Sequence, residues 1–481
     1  MNYRIVLYII GHIMRIEGLF MVVPLIIAVF NREETILSYI IPIILLLGIG
    51  TLLTVKKPEN RRLYAKEGLV IVGLTWIILS LFGALPFIFS SEIKSFTDAV
   101  FEMVSAFTTS GASVLGNVEI LTPSQLFWRS FAQWIGGMGI LVFVLAILPQ
   151  TETQSMYIMR AEVPGPVVGK LVSKIRLTAR ILYGIYVALT IVVVILLLIG
   201  GMPLFDSVLH AFGTAATGGF SIKNSGIAYY DSVYIEGVIA AFMIIFSINF
   251  NLYYLLLLGK VRDFFKSEEL KWFTAILISA VTLVTINIYN IYGNIGDALR
   301  YSSFQVASMV STTGYSTVNY HMWPEFSKVV LMILMVVGAC AGSTCGGIKI
   351  SRLMILGKSA AREIRKIVYP RSVMAVKIEN KKVEDEVING TIIFFIVYIF
   401  LIAVSVFLIS LDVFDFETNF SAVIASINNI GPGYAIVGPA ENYSNLSNLS
   451  KWVLMFDMFF GRLEIYPILI LLSPRTWIKK L

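Results

Sequence analysis

The chain has 481 residues, of which 57% are hydrophobic and 14% are charged, and its formal net charge is +7. A mean hydropathy of +0.82 excludes an ordinary water-soluble protein and indicates a polytopic integral membrane protein. The positive charge does not indicate nucleic-acid binding, because the basic residues cluster in alternate loops between apolar segments.

Apolar segments long enough to span a membrane follow one another along the chain. A span needs about 20 mostly apolar residues to cross a hydrocarbon core of roughly 30 Å, and we therefore predict an all-α polytopic fold with about ten spans. The N-terminal apolar run lacks a small-residue cleavage site and is followed at once by a second span, so we do not interpret it as a signal peptide. The predicted spans are residues 5–29, 36–55, 68–90, 125–149, 181–201, 234–258, 272–292, 327–357, 387–411 and 451–472.

Loops rich in lysine and arginine mark one side of the membrane. They lie at residues 56–66, 150–180, 260–271 and 352–382, and the intervening loops contain few basic residues. By the positive-inside bias, the basic loops and both termini are expected in the cytoplasm. A polybasic face also suits anionic membrane lipid or an acidic partner, although topology alone explains each cluster.

A short polar stretch that contains glycine recurs about every hundred residues, which is the signature of an internal repeat. Each stretch follows a short helical segment and lies between two spans. We therefore predict four pseudo-symmetric repeats of span, short helix, polar stretch and span, after an N-terminal pair of transmembrane helices at 1–60. The predicted repeats are residues 61–150, 151–260, 261–370 and 371–481. Their short helices are predicted at 95–107, 203–216, 295–311 and 416–427, before the stretches TTSGAS, TGGFS, TTGYS and NNIGPG.

The length of the short helices predicts where they lie. About 12 residues at 1.5 Å each make about 18 Å, which is too short to cross the bilayer, so these helices must be re-entrant. The irregular backbone that follows them is tolerated at membrane depth only where it is buried in protein or lines a watery cavity. Four such loops around one central pore would present rings of backbone carbonyls, and the partly negative ends of four helices, to a dehydrated cation.

Four further stretches, taken together with these repeats, resemble a known family. They are EGLVIVGLTWIILSLFGALPFIFS at 67–90, QWIGGMGILVFVLAILP at 133–149, GACAGSTCGGIKISR at 338–352 and GRLEI at 461–465. With these motifs the chain resembles the Trk/Ktr/HKT superfamily of potassium transporters over essentially its whole length. The extra N-terminal pair of spans is typical of the TrkH/TrkG type of bacterial subunit.

The resemblance implies a function and partners. We expect potassium uptake across the bacterial inner membrane through one pore per chain, with potassium as the bound ion. The family also implies a homodimer and a cytoplasmic regulatory subunit of the TrkA type, and a nucleotide would act only through that subunit.

The family's four filter glycines match Gly111, Gly219, Gly314 and Gly431. Glycine rather than serine at position 111 resembles the potassium-selective pattern, and the fourth stretch departs from the threonine-glycine chemistry of the others. The threonines could supply hydroxyl or carbonyl ligands, or they could cap the short helices. The complete expected filter set is Thr108, Thr109, Gly111, Thr217, Gly218, Gly219, Thr312, Thr313, Gly314, Asn428, Asn429, Ile430 and Gly431.

The predicted span at 327–357 contains a glycine-rich segment. Each glycine disfavours helix by about 1 kcal/mol relative to alanine, so we expect the helix to break there. In the family, the matching segment is an intramembrane loop that blocks the pore from below and moves on activation, although small residues also favour close helix packing. We place this gate at residues 338–349, with Gly338, Gly342, Gly346, Gly347 and Lys349 as its expected site residues.

Arg462 lies within the last predicted span, where a charge is costly and usually faces a cavity or the bundle interior. It resembles the family's pore-facing arginine, and we expect a positive barrier below the filter, balanced by Glu464 or Asp457. A purely structural ion pair is the alternative. We interpret His210 and Glu102 as satisfied buried groups rather than proton carriers.

Other functions remain as alternatives. A sodium- or proton-coupled symporter needs a titratable group or a second ion site, and the sequence does not identify one. An intramembrane enzyme needs clustered catalytic side chains, and the three histidines at 12, 210 and 321 do not supply them. The spacing of Cys340 and Cys345 fits neither a zinc site nor a redox pair, so we expect them to pack as small residues.

Overall fold

The computed structural model describes residues 1–58, 64–139, 175–371 and 374–477. Most of the basic loop predicted at 150–180 lies outside these ranges. So do the second part of the predicted span 125–149 and the repeat boundaries predicted at 60/61 and 150/151.

The described residues form a bundle of helices with one short hairpin. The N-terminal pair and the first repeat contain α1 (Tyr3–Phe20), α2 (Val22–Phe30), α3 (Ile36–Thr54), α4 (Ala65–Gly83), α5 (Leu85–Phe89), α6 (Phe96–Phe107) and α7 (Pro123–Gly137). The second repeat contains α8 (Ile175–Ile199), α9 (Leu204–Ala216), α10 (Val233–Phe246) and α11 (Phe250–Leu257).

The third repeat contains α12 (Val261–Lys266), α13 (Glu268–Tyr292), α14 (Ile295–Val310), α15 (Glu325–Val337) and α16 (Ile350–Val368). An antiparallel hairpin of β1 (Lys377–Ile378) and β2 (Lys381–Lys382) follows it. The fourth repeat contains α17 (Asp385–Ile409), α18 (Phe416–Ile427), α19 (Asn448–Arg462), α20 (Tyr466–Leu472) and α21 (Pro474–Trp477). Short 3-10 turns at Val118–Ile120, Gly226–Tyr230, Tyr320–Met322, Ala435–Val437 and Tyr443–Asn445 follow the four polar stretches.

Within the described ranges, six helical segments are long and apolar enough to cross a membrane. They agree with six of the predicted spans, and three further predicted spans, 234–258, 327–357 and 451–472, are broken rather than continuous. The six segments are Tyr3–Phe30, Ile36–Thr54, Ala65–Phe89, Leu177–Ile199, Glu268–Tyr292 and Asp385–Ile409.

The three breaks have local causes. The glycine-rich segment interrupts 327–357 between α15 and α16, where the sequence predicts a break. At 234–258 the chain bends by 92° between α10 and α11, and the Asn249 side chain accepts a hydrogen bond from Asn251 N at 2.9 Å as the second helix begins. In the last predicted span, Glu464 and Ile465 have positive φ values of 57° and 70°, which ends α19. The last two breaks were not predicted, since residues 234–258 and 451–472 are expected from the sequence as continuous spans.

The four short helices occur where the sequence predicts them. They are α6, α9, α14 and α18, with 12, 13, 16 and 12 residues. Ser95 caps the start of α6 by accepting from Asp98 N, and Asn294 caps the start of α14 by accepting from Gly296 N. Most of their residues are buried on all sides, as a helix enclosed by other helices requires.

The N-terminal helices α1 and α3 pack closely through glycine. A Cβ placed on Gly50 would lie 2.7 Å from Gly11 O and 2.7 Å from the Arg15 side chain. Gly48, two residues earlier on the same helix, has no neighbouring atom within 4 Å of such a Cβ. The two glycines therefore provide a matched pair for testing this packing.

We expect Gly50→Ala to lower the thermal unfolding midpoint in detergent, because overpacking a close helix contact costs about 1–3 kcal/mol. Gly48→Ala should leave the midpoint unchanged or raise it, since alanine favours helix over glycine by about 1 kcal/mol. Equal midpoints for the two variants would contradict the close packing of α1 and α3.

Candidate functional site

All four short helices end in the same way. One or two residues after the last helical residue, the backbone adopts the left-handed conformation. The residues at this position are Thr109, Thr217, Thr312 and Asn429, with φ values of 56°, 51°, 54° and 54°. In each repeat this residue donates its N–H to the carbonyl three residues earlier, and the next residue donates to the carbonyl five residues earlier. This is the hydrogen-bond pattern of a Schellman helix end, with threonine or asparagine at the position usually taken by glycine.

Two residues beyond each left-handed residue stands one of the four predicted filter glycines. Gly111, Gly219, Gly314 and Gly431 have φ values of 79°, 72°, 81° and 97°. An L-amino acid with a side chain rarely adopts these values, so the backbone itself requires glycine at these positions.

The four glycines form a closed ring. A Cβ on Gly111 would overlap Gly218 O, one on Gly219 would overlap Thr313 O, and one on Gly314 would overlap Ile430 O. A Cβ on Gly431 would lie 2.8 Å from Ser110 O. Each glycine therefore meets a backbone carbonyl of the next repeat, and the fourth repeat returns to the first. We call this arrangement the glycine ring.

Three hydroxyl groups near the ring bond to protein, whereas the buried Ser110 Oγ has no hydrogen-bond partner among the described residues. Thr108 Oγ1 donates to Val104 O at 2.6 Å, and Thr217 Oγ1 donates to Ala216 O at 2.7 Å. Thr313 Oγ1 lies 2.7 Å from Ser311 Oγ. These hydroxyl groups bond to atoms at the helix ends. Of the two roles considered for the threonines, ion ligand and helix cap, these contacts correspond to the helix cap.

A depression of about 590 Å³ opens on one side of the glycine ring. The residues that follow the glycine in every repeat line it, including Ser113, Ser221, Ser316 and Pro432. All four polar stretches therefore contribute to one vestibule.

The loop at residues 338–349 lies against the opposite side of the ring. It joins α15 to α16, and Gly338, Gly342, Gly347 and Lys349 have positive φ values of 67°, 68°, 78° and 79°. Because the chain turns repeatedly within these twelve positions, it forms a compact plug rather than a helix. We call residues 338–349 the plug loop.

The plug loop touches the inner ends of three short helices. Gly346 N donates to Thr312 Oγ1 at 2.7 Å, and Thr344 Oγ1 lies 3.4 Å from Thr217 Oγ1. A Cβ on Gly346 would overlap Asn428 O. Gly346 is therefore required by close approach to the fourth repeat, and the plug loop lies directly against the inner ends of these helices.

Residues that the sequence does not single out form hydrogen bonds to the plug loop on the side away from the ring. Cys340 N donates to Ser247 O at 3.2 Å, and Phe250 N donates to Gly342 O at 3.0 Å, so the bend between α10 and α11 is a docking site for the loop. Glu269 Oε1 accepts from Ala341 N at 2.8 Å. The polar residues of SINFN at 247–251 could have indicated the bend, but no local pattern distinguishes Glu269.

Arg462 joins the plug loop to the first repeat. Its side chain is buried, with Nη1 donating to Thr344 O at 2.8 Å and Nη2 donating to Gly136 O and Gly137 O at 2.5 Å each. The Arg462 guanidinium therefore lies on the plug side of the ring and donates hydrogen bonds to carbonyls of two repeats.

Two hydrogen-bonded contacts involve the acids that the sequence suggests as partners of Arg462. Glu464 forms an ion pair with Arg352 at 2.5 Å, and Asp457 accepts from Ser405 Oγ at 2.7 Å. Both cysteines, Cys340 and Cys345, are free and buried in the plug loop. Among the described residues, no group of His, Cys, Asp and Glu is arranged to bind a metal ion.

Comparison with known proteins agrees with this architecture. The TrkH family of cation transport proteins matches residues 36–479. The chain belongs to the TrkH family. The Trk system potassium uptake protein TrkH of Salmonella typhimurium is 36% identical over 484 residues, covering 99% of this chain and 100% of that protein. The TrkG protein of Escherichia coli K12 is 32% identical, covering 98% of each chain.

A TrkH crystal structure has the same fold. The potassium transporter TrkH from Vibrio parahaemolyticus matches with a TM-score of 0.89 and 32% identity, covering 99% of this chain and 100% of that one. The resemblance to the TrkH/TrkG type that the motifs indicate is confirmed, as is the all-α membrane fold.

We expect Glu269→Ala to loosen the plug loop, because the buried Ala341 N–H loses its side-chain acceptor, at a cost of about 1–3 kcal/mol. The only two cysteines of the chain lie in this loop, so their rate of modification by a maleimide measures its displacement. The rate should rise by about tenfold, since about 1.4 kcal/mol corresponds to a factor of ten.

Glu268→Ala is the matched control. The Glu268 carboxylate binds Lys358 and accepts from Glu379 N at 3.2 Å, and these contacts lie outside the plug loop. Equal modification rates in the two variants would show that Glu269 does not hold the loop.

Proposed function

We propose that this chain takes up potassium across the bacterial inner membrane through one pore per chain. The single observation that supports this most strongly is the glycine ring, in which four repeats bring backbone carbonyls together between a vestibule and a plug. The TrkH and TrkG relatives are potassium uptake proteins by name, which agrees with this proposal.

The chemistry of the ring suits a dehydrated cation. Backbone carbonyls can replace the water shell of potassium, and positive φ at the glycines frees the carbonyls from side chains. The four helix C-termini add partial negative charge at the same level. In this proposal, the filter consists of the polar stretches from Thr108 to Gly111, Thr217 to Gly219, Thr312 to Gly314 and Asn428 to Gly431.

The membrane potential supplies the driving force in this proposal. One charge moving inward gains about 2.3 kcal/mol per 100 mV, so a pore needs no second ion to accumulate potassium. A sodium- or proton-coupled symporter is distinguished by uptake that stops when the sodium or proton gradient is removed at constant potential.

The plug loop is the gate, and Arg462 is a positive barrier beneath the filter. A potassium ion leaving the ring would meet both the glycine backbone of the loop and a guanidinium group, so conduction requires the loop to move. The glycines at 338, 342, 346 and 347 suit such a movement, because their backbone has more than one accessible conformation.

Regulation and assembly complete the proposal. The chain works as a homodimer with its termini and basic loops in the cytoplasm, where a TrkA-type nucleotide-binding subunit controls the plug loop. The relatives are named as proteins of a Trk system, which supports the presence of further components. Helix α16, which follows the plug loop, carries exposed basic residues such as Arg365 and Lys366.

We expect Gly219→Ala and Gly314→Ala to abolish rubidium uptake into proteoliposomes, since each added Cβ would overlap a carbonyl of the ring at a disfavoured φ. Gly116→Ala is the control, because its Cβ would have only one neighbour within 4 Å, at 3.9 Å. Wild-type flux and potassium selectivity in the two ring variants would overturn the filter assignment.

We expect deletion of residues 342–346 to raise rubidium uptake in the absence of any cytoplasmic subunit, because it removes the part of the plug that touches the ring. Gly346→Ala should act in the same direction, since its Cβ would overlap Asn428 O, whereas Gly357→Ala in α16 meets open space. Uptake that stays at the wild-type level in both plug variants would show that the loop is not the gate.

A further inference from the structure

A layer of hydrogen bonds surrounds the glycine ring on its vestibule side. In this layer, each polar stretch is joined to the next repeat. Tyr315 OH donates to Phe220 O at 3.1 Å, Tyr320 OH donates to Gly433 O at 3.1 Å, and Tyr443 N donates to Ser113 O at 2.9 Å. These contacts join repeats 2 and 3, 3 and 4, and 4 and 1. We call the layer the cuff.

The junction between repeats 1 and 2 contains a buried ion pair in addition to neutral hydrogen bonds. Gln133 Nε2 donates to Gly218 O at 2.6 Å and Gln133 Oε1 accepts from Phe220 N at 3.3 Å. Arg129 Nε lies 2.5 Å from Glu102 Oε1, and the two side chains are 2% and 0% exposed. Arg129 Nη1 also donates to Ser221 O at 3.0 Å, and its guanidinium lies 3.3 Å from the centre of the Phe220 ring. The Arg129 guanidinium thus contacts the second polar stretch in two ways. It bonds to the backbone carbonyl of Ser221, and it lies over the aromatic ring of Phe220.

The Glu102 carboxylate holds the first polar stretch at the same time. It accepts from Ser113 Oγ at 3.0 Å and from Val114 N at 3.0 Å. Ser113 and Ser221 each stand two residues after a ring glycine. The ion pair therefore fixes equivalent points of two neighbouring stretches relative to each other.

Other repeats use neutral groups at the corresponding level of their short helices. His210 Nε2 lies 3.3 Å from Ser221 Oγ, and Ser421 Oγ accepts from Tyr434 N at 2.9 Å. His210 and Glu102 are thus satisfied buried groups, as the sequence analysis expects. Gln305 is fully buried, and its amide has no hydrogen-bond partner among the described residues.

A buried ion pair is a poor source of stability, because desolvating both charges offsets their attraction. Its rigid and directional geometry is better suited to holding the spacing of two backbone segments. The selectivity of a carbonyl ring depends on the number and placement of its oxygens. The Glu102–Arg129 clamp holds two polar stretches within two residues of their ring glycines, so it would set that placement between repeats 1 and 2.

We propose that Glu102 and Arg129 are positioning residues that determine the ion specificity of the glycine ring. They contact the polar stretches and not the transported ion, and they act by fixing repeats 1 and 2 at the distance that suits potassium. This inference rests on the proposed function, because it assumes that the ring is the filter.

The double variant Glu102→Gln/Arg129→Met tests the proposal without leaving an unpaired buried charge. Rubidium uptake with and without competing sodium should show a potassium-over-sodium preference reduced by about tenfold or more, while uptake itself persists. The unfolding midpoint in detergent should stay close to that of the wild type, since the ion pair adds little stability.

The control is a second arginine–glutamate ion pair that joins two repeats, Arg300 with Glu236. Arg300 binds Glu236 through two hydrogen bonds of 2.7 Å that join α14 to α10, and Glu236→Gln/Arg300→Met should keep the wild-type ion preference. Glu102→Asp provides a second test if the first double variant does not fold. It retains the charge but is too short to reach Arg129 and Val114 together, so it should also lose preference.

The outcomes separate this inference from the proposed function. The inference alone is overturned if the wild type and the Glu102→Gln/Arg129→Met variant prefer potassium over sodium equally. It is also overturned if the Glu236→Gln/Arg300→Met control loses this preference to the same extent as the clamp variant. A wild type that transports no potassium overturns both the proposed function and the clamp.

Discussion

The structure depends on one constraint, which is that irregular backbone at membrane depth must have its polar groups paired within the protein. Four helices end before crossing the membrane, and each end is closed by a Schellman pattern at Thr109, Thr217, Thr312 or Asn429. Each ring glycine meets a carbonyl that remains beyond the helix end of the next repeat. Any side chain at those glycines would separate the repeats, so the ring closes only because all four positions lack a Cβ.

The same constraint explains the far side of the ring. The plug loop is also irregular backbone inside the membrane, and it is accommodated by groups from several repeats rather than by its own helix. Arg462 satisfies carbonyls at Thr344, Gly136 and Gly137, while the bend between α10 and α11 pairs with Cys340 and Gly342. A loop whose bonds come from its surroundings can be released by changing a few of them, which suits a moving part.

Local patterns in the sequence predict the short helices and the ring glycines well. Helix length, apolar composition and a recurring glycine are properties of neighbouring residues, so α6, α9, α14 and α18 begin and end within about two residues of the prediction. The contacts that assemble the site are different, since Arg462 reaches a carbonyl 326 positions away and Arg129 one that is 92 positions away. Such pairs have no periodicity, so the break at Ile465, the acceptor Glu269 and the Arg129 clamp appear only in three dimensions, whereas the polar residues at 247–251 are a local signal for the bend at Asn249.

The central claim is that the glycine ring is where the transported cation loses its water. Anomalous diffraction from crystals grown in thallium, which replaces potassium and can be located directly, tests it. The account predicts a thallium peak on the axis of the ring, within coordination distance of carbonyls from all four polar stretches. Thallium sites elsewhere in the protein with none at the ring, in a preparation that still transports thallium, would contradict it.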